Sequence, residues 1–165
     1  MNIGGLPLHP LIVHVAVVLV PLSALGGLVL SWRPGLRARF GWLTVAFAAA
    51  GAAGALAARL TGPALASQIG IGSSPQFATH RMWGLWAPWP ALVLALSLAA
   101  LVWSDSGTAI AGGRSGRRTL GVGPPQDRRT LRLASTVVVV VSALASLVLV
   151  TLVGHSGATL VWGGR

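Results

Sequence analysis

Four long apolar runs, separated by shorter polar stretches, dominate the chain. They cover about residues 11–31, 40–60, 83–103 and 133–154. A run of about 20 apolar residues is long enough to cross the hydrocarbon core of a bilayer as a helix. The valine-rich fourth run would favour a strand in water, but a lone strand in lipid leaves its backbone groups unpaired. The pattern predicts one all-α domain over residues 1–165, a four-helix up-down transmembrane bundle.

The arginines indicate how this bundle is oriented. Nine of them follow the first apolar run or lie in the Gly-, Pro- and Arg-rich segment 104–132, and three lie at the opposite end of the bundle. Because cytoplasmic loops are enriched in Lys and Arg, these two basic segments are predicted to be cytoplasmic and both termini extracytoplasmic. Segment 104–132 is expected to be a flexible loop, and the chain a multi-pass protein of the bacterial plasma membrane.

Composition supports a membrane protein and excludes several kinds of chemistry. Of the residues, 54% are hydrophobic and 8% are charged, against about a quarter charged in soluble domains. The absence of cysteine excludes disulfides, iron–sulfur ligation and thiol catalysis. The net charge of +10 resides mainly in the two cytoplasmic segments. It predicts attraction to anionic lipid rather than binding of nucleic acid.

The histidines are the candidate functional residues. All four are predicted to lie at the extracytoplasmic end of the bundle: His9, His14, His80 and His155. His9 precedes Pro10, a residue suited to the first position of a helix, so His9 is expected just outside the first helix. His14 ranks first because it lies inside an apolar run, where ionisable residues are functional candidates.

The acidic residues limit the chemistry of this end. The chain has only two, Asp105 and Asp127, and both lie in segment 104–132. Without carboxylates, the histidine cluster is unsuited to calcium or magnesium and to carboxylate-bridged di-iron sites. Hydrolysis of the HExxH type is not expected either. Imidazole ligands suit haem iron, zinc or copper.

The first hypothesis is a haem b site in a redox-accessory membrane protein. Two axial histidines on different helices would hold the iron, and His14 with His80 or His155 could supply them. Arg59 and Arg81 lie at the same end and could pair with the haem propionates.

Other hypotheses stay open beside haem. A zinc or copper ion could be held by all four histidines together, since tetrahedral sites take four such ligands. A quinone site could use histidine to exchange protons and arginine to set the field. The histidines could instead tie loops together in a non-catalytic structural subunit. Neither a redox partner nor an oligomeric state can be named from the sequence.

Both ends of the chain resemble a bacterial membrane family. LPLHPLIVH, residues 6–14, resembles its signature HPxxVH, and GHSGATLVWG, residues 154–163, resembles its closing pattern GHxGGxLVYxxG. His80 matches a histidine that opens the third helix, whereas Pro63 and Ala158 depart from the pattern. The family is catalogued as domain of unknown function 2231. The resemblance implies a four-helix membrane protein, and fusions of some relatives to cytochrome c modules imply a redox setting.

The predicted orientation can be tested with reporter fusions. Alkaline phosphatase folds only after export, so a fusion after Arg165 is expected to be active and a fusion within residues 104–132 inactive. Enzyme activity, normalised to the amount of fusion protein, gives the measurement. The reverse pattern of activity would show that the bundle is inserted the other way.

Overall fold

A computed structural model of the chain describes residues 2–3, 6–109 and 125–163. Two short strands, β1 (Asn2–Ile3) and β2 (Leu6–Pro7), pair antiparallel ahead of the first helix. Five α-helices follow in the described residues: α1 (Leu8–Trp32), α2 (Arg37–Gln68), α3 (Pro75–Trp86), α4 (Pro88–Ala109) and α5 (Pro125–Trp162). A 3-10 turn, Pro34–Leu36, joins α1 to α2.

These helices provide four segments that are long and apolar enough to cross a membrane. They are Leu8–Trp32, Pro34–Gln68, Pro75–Asp105 and Arg129–Trp162. The predicted four-helix transmembrane architecture is therefore confirmed. Each crossing extends beyond the predicted apolar run, because a helix continues into flanking polar residues after it leaves the hydrocarbon. Parts of the predicted loop 104–132 are helical for this reason, and its residues 110–124 lie outside the described part of the chain.

The third crossing is divided into two helices at Ala87. Pro88 and Pro90 follow this residue, and each lacks the N–H that would bond to the preceding helical turn. Loss of these bonds is a common cause of a break or kink in a helix. Trp86 therefore ends α3, and Trp89 lies in the first turn of α4.

The helices are arranged so that α1 and α4 are diagonal neighbours. Both pack along α2 and α5 and contact each other little, and α3 packs on α5 and α2. The start of α1, the end of α2, α3 and the end of α5 form what we name the histidine end. The opposite end, with the start of α2 and the end of α4, is the arginine end.

A buried ion pair ties helices together at the arginine end. Arg37 is only 4% exposed, and its Nη1 lies 3.0 Å from Asp105 Oδ2. Its Nε donates to the carbonyl oxygen of Leu30 at 2.7 Å. Asp105 Oδ1 also lies 3.0 Å from Nε of Arg132. One carboxylate and one guanidinium thus link the ends of α1 and α4 to the starts of α2 and α5.

Asp105→Asn is expected to destabilise the fold strongly. The charge of Arg37 would stay buried without an anion, and breaking such a pair costs about 3–5 kcal/mol. Arg132→Gln is the matched control. Its side chain is 45% exposed, so its loss should cost about 1 kcal/mol or less. Unfolding in detergent micelles gives both free energies, and equal losses would contradict the buried position of Arg37.

Candidate site at the histidine end

Two of the four histidines lie partly buried at the histidine end. His9 is in the first turn of α1, and His80 is in the middle of α3. The ring of His9 contacts α2, and the ring of His80 contacts α5. Since α1 begins at Leu8, His9 belongs to the helix rather than preceding it as expected. Pro10 is accommodated because N–H groups in a first turn have no partner within the helix.

A hydrogen bond to α2 orients the ring of His9. Nδ1 of His9 lies 2.9 Å from Oγ1 of Thr61. The hydroxyl of Thr61 donates its only proton to the carbonyl oxygen of Ala57, also at 2.9 Å. With the hydroxyl proton assigned to Ala57, Thr61 accepts and Nδ1 of His9 is the donor. The lone pair of this neutral imidazole is then on Nε2.

His80 is held in the same way by α5. Its Nδ1 lies 3.2 Å from Oγ of Ser156, and Ser156 donates to the carbonyl oxygen of Val153 at 3.1 Å. The ring of His80 is thus also the donor at Nδ1, and its Nε2 keeps a lone pair. Metal-ligating histidines are commonly oriented by such a bond from the ring nitrogen that does not bind the metal.

A glycine follows each of the two hydroxyl residues. A Cβ atom added at Gly62 would lie 3.3 Å from Cε1 of His9, and one at Gly157 would lie 3.2 Å from Cε1 of His80. The dipeptides Thr61–Gly62 and Ser156–Gly157 therefore play equivalent parts. The hydroxyl fixes the ring nitrogen, and the missing side chain lets the ring lie against the helix.

The turn before α3 sets the position of His80. Gly70 has a positive φ of 74°, and the N–H of Ile71 donates to the carbonyl oxygen of Ala66 at 3.0 Å. This glycine-dependent pattern ends α2. Ser74 then caps α3 by accepting from the N–H of Phe77 at 3.1 Å. The short connection holds α3 between α2 and α5.

His14 and His155 are exposed, whereas His9 and His80 are partly buried. The sequence had ranked His14 first among the four, so the structure reverses that ranking. Nδ1 of His14 lies 2.6 Å from the carbonyl oxygen of Pro10, one turn earlier in α1. Within the part of the chain that the structure describes, no three His, Asp or Glu residues are placed to hold a metal ion together. The structure pairs His9 with Thr61 and His80 with Ser156.

A repeat along α1 distinguishes the two histidines of this helix. The buried residues Ala16, Ser23 and Leu30 follow His9 at intervals of seven, which returns to nearly the same face of a helix. Small and polar residues mark helix interfaces in membranes. His9 therefore shares the face that packs inside the bundle, and this heptad pattern was the signal that sequence analysis missed.

The two arginines of this end have different surroundings. The guanidinium of Arg59 lies 5.5 Å from the ring centroid of Trp89, an attractive cation–π contact. Arg81 follows His80 on α3 and is exposed. Beside His9 there is a cavity of about 190 Å³. Its lining residues are Leu8, His9, Leu60, Thr61, Ala64, Leu65 and Gln68.

Comparison with known proteins identifies the family. The model of the family described as "Predicted membrane protein (DUF2231)" matches residues 5–165. The chain belongs to this family, as its two end motifs indicated. No curated protein and no solved structure matches the chain. The histidine end therefore has to be interpreted from its own geometry.

A double-mutant cycle can test the bond between His9 and Thr61. His9→Ala, Thr61→Val and the double variant should show a coupling of about 0.5–1.5 kcal/mol in the free energy of unfolding. The same cycle with His14→Ala in place of His9→Ala should show almost none, because His14 bonds to its own helix. Unfolding in detergent micelles supplies the values. A His9–Thr61 coupling indistinguishable from zero would contradict the assigned bond.

Proposed function

We propose that this member of the family binds haem b through His9 and His80 and serves as a redox-accessory protein of the membrane. One observation carries the proposal. In the assigned hydrogen-bond network, both rings donate at Nδ1 to hydroxyls that in turn donate to carbonyl oxygens of their own helices. Each ring therefore offers an unprotonated Nε2, the form of imidazole that binds a metal.

The number of histidines brought together favours haem over a tetrahedral zinc ion. A structural zinc site takes four protein ligands and a catalytic one takes three. Haem brings most of the ligands of its iron itself, so His9 and His80 would be enough to hold it. The pair formed by His9 and His80 meets this second requirement. Cofactor sites in helical bundles are commonly built from side chains on facing helices in this way.

The helices around His9 and His80 provide some, but not all, of the room that a flat cofactor needs. α1 and α3 both pack against α2 and α5, and a ring held by His9 and His80 would lie between them. The cavity at His9, about 190 Å³, is smaller than the roughly 300–1,000 Å³ of most ligand sites. Its lining residues belong to α1 and α2, so binding of haem there would require these two helices to separate. Arg59 and Arg81 remain the proposed partners of the propionates.

Each part of the chain would have a distinct role in electron transfer. The haem iron supplies the change between two oxidation states when it is bound. His9 and His80 would hold it, while Thr61 and Ser156 would keep each ring in the ligating tautomer. With no carboxylate among the described residues of the histidine end, the rings remain neutral donors. Mutation of residues that hydrogen-bond to metal-ligating histidines commonly lowers metal affinity by 10- to 100-fold.

A single copper ion is the second candidate. The limited volume beside His9 favours a small ligand, and imidazole nitrogen suits copper. The Nε2 atoms of His9 and His80 would supply two of its ligands. In the remaining alternative, the histidines bind no ligand and only stabilise the packing of a structural subunit.

We also propose the bacterial plasma membrane as the location, with the histidine end facing outward. The arginine end would then contact the cytoplasmic leaflet, where anionic lipid attracts basic residues by about 1 kcal/mol per charge near the surface. Exposed Arg33 and Arg39 are positioned for this contact. A redox partner would approach the outer face.

The absorption spectrum of purified protein, reconstituted with haem and recorded oxidised and reduced, tests the proposal. Wild-type protein is expected to show the sharp bands of a six-coordinate bis-histidine haem at one haem per chain. His9→Ala and His80→Ala should each lose most of the bound haem, because one axial ligand is missing. The matched controls, His14→Ala and His155→Ala, should retain it.

Metal analysis of the same samples separates the alternatives. Copper that copurifies with the wild type and is lost in His9→Ala would favour the ion over haem. Haem loss in His14→Ala would assign the axial role to His14 instead of His9. Absence of both haem and metal, with all four variants folded, would leave the structural alternative.

A further inference from the structure

A second cleft lies on the outer surface of the bundle, where α2 meets the break between α3 and α4. Its volume is about 220 Å³, and Arg59, Leu85, Trp86 and Trp89 line it. Trp86 is the last residue of α3 and Trp89 the second residue of α4. The two tryptophans therefore flank the break at Ala87.

This cleft faces the lipid rather than the interior of the bundle. Trp86 is 61% exposed and Trp89 is 47% exposed, and Leu85 beside them is also exposed. Arg59 lies nine residues before the end of α2, which is about 14 Å along a helix. A ligand would thus enter from the bilayer and has to be soluble in lipid.

Arg59 gives the cleft a polar recognition group. Its guanidinium lies over the ring of Trp89 at 5.5 Å. Among the residues that the structure describes, none accepts a hydrogen bond from it. Both acidic residues of the chain belong to the arginine-end segment 104–132. A cation inside a membrane segment is costly unless it has a partner, so a ligand oxygen would satisfy Arg59.

We propose that this cleft binds the headgroup of a membrane quinone. A quinone ring is flat and can stack on the exposed indole surfaces. Its carbonyl oxygens can accept hydrogen bonds from the planar guanidinium of Arg59. The isoprenoid tail would remain in the lipid, which agrees with the small volume of the cleft. A phospholipid phosphate could also accept from Arg59, but it has no ring to place against the two tryptophans.

The proposed quinone cleft shares Arg59 with the proposed haem site, so simultaneous binding would leave the haem propionates to Arg81. Haem-free protein that binds quinone would contradict only the proposed function, and haem protein without quinone affinity would contradict only this inference. Where both are present, the quinone would be a membrane-soluble electron partner for the haem. The proposal itself concerns binding of the headgroup.

The test is titration of the full chain, in nanodiscs of zwitterionic lipid, with a benzoquinone that carries one isoprene unit. Tryptophan fluorescence should fall with a saturable component. Arg59→Gln should weaken the apparent affinity by about tenfold, as expected for loss of hydrogen bonds from a charged donor. Trp86→Leu should weaken it as well. The matched controls at the arginine end, Arg33→Gln and Trp103→Leu, should leave it unchanged.

Four results would overturn the proposal. The first is quenching that rises linearly with quinone in the wild type, which indicates collisions in the lipid only. The second is equal affinity in Arg59→Gln and wild type. The third is loss of the saturable component when phosphatidylglycerol replaces part of the lipid, which would assign the cleft to lipid phosphate. Arg59→Lys keeps the charge without the planar fork, and an affinity equal to wild type would also contradict recognition by the guanidinium.

Discussion

At the histidine end, the hydroxyls of Thr61 and Ser156 each donate their single proton to a carbonyl oxygen of their own helix. The orientation of the imidazoles and the packing of the helices at this end depend on these two bonds. A hydroxyl that has used its proton can only accept, so it imposes the donor form on the facing Nδ1 and leaves the lone pair on Nε2. The bond also restricts the helices, because a shift of one residue moves the hydroxyl by about 1.5 Å along its axis. Chemistry and packing at this end are therefore determined together.

The two ends of the bundle satisfy their polar groups in opposite ways. At the arginine end, Asp105 neutralises the buried charge of Arg37, so an ion pair holds four helix ends together. At the histidine end, hydroxyls and glycines provide neutral contacts to the imidazoles. Placement of both acids in one segment of the chain produces this division. It leaves the imidazoles as the groups available to a metal centre.

The site is divided between the two halves of the chain. α1 and α2 supply His9 with Thr61–Gly62, and α3 and α5 supply His80 with Ser156–Gly157. Each histidine is held by the next membrane crossing along the chain, and neither pair of crossings contains two partly buried histidines. α1 and α2 supply one half-site and α3 and α5 the other, so the two lie at the same end of the bundle only when both halves have packed. Assembly of the bundle is thus a condition for the site.

Sequence alone determined the four crossings, because a long apolar run is a local property that the bilayer thickness converts directly into a helix. It also determined that the histidines collect at one end, since successive crossings alternate in direction.

Tertiary structure decided which of the histidines lie partly buried in the bundle. His9 and His14 are five residues apart, about 140° around a helix, so only one can face the interior. The apolar pattern could not choose between them, because lipid-facing and buried positions of a membrane helix are both apolar. That rotation is decided by packing, where Gly51 of α2 lies against Val20 of α1. Val20 is eleven residues from His9 and so returns to nearly the same face, within about 20°.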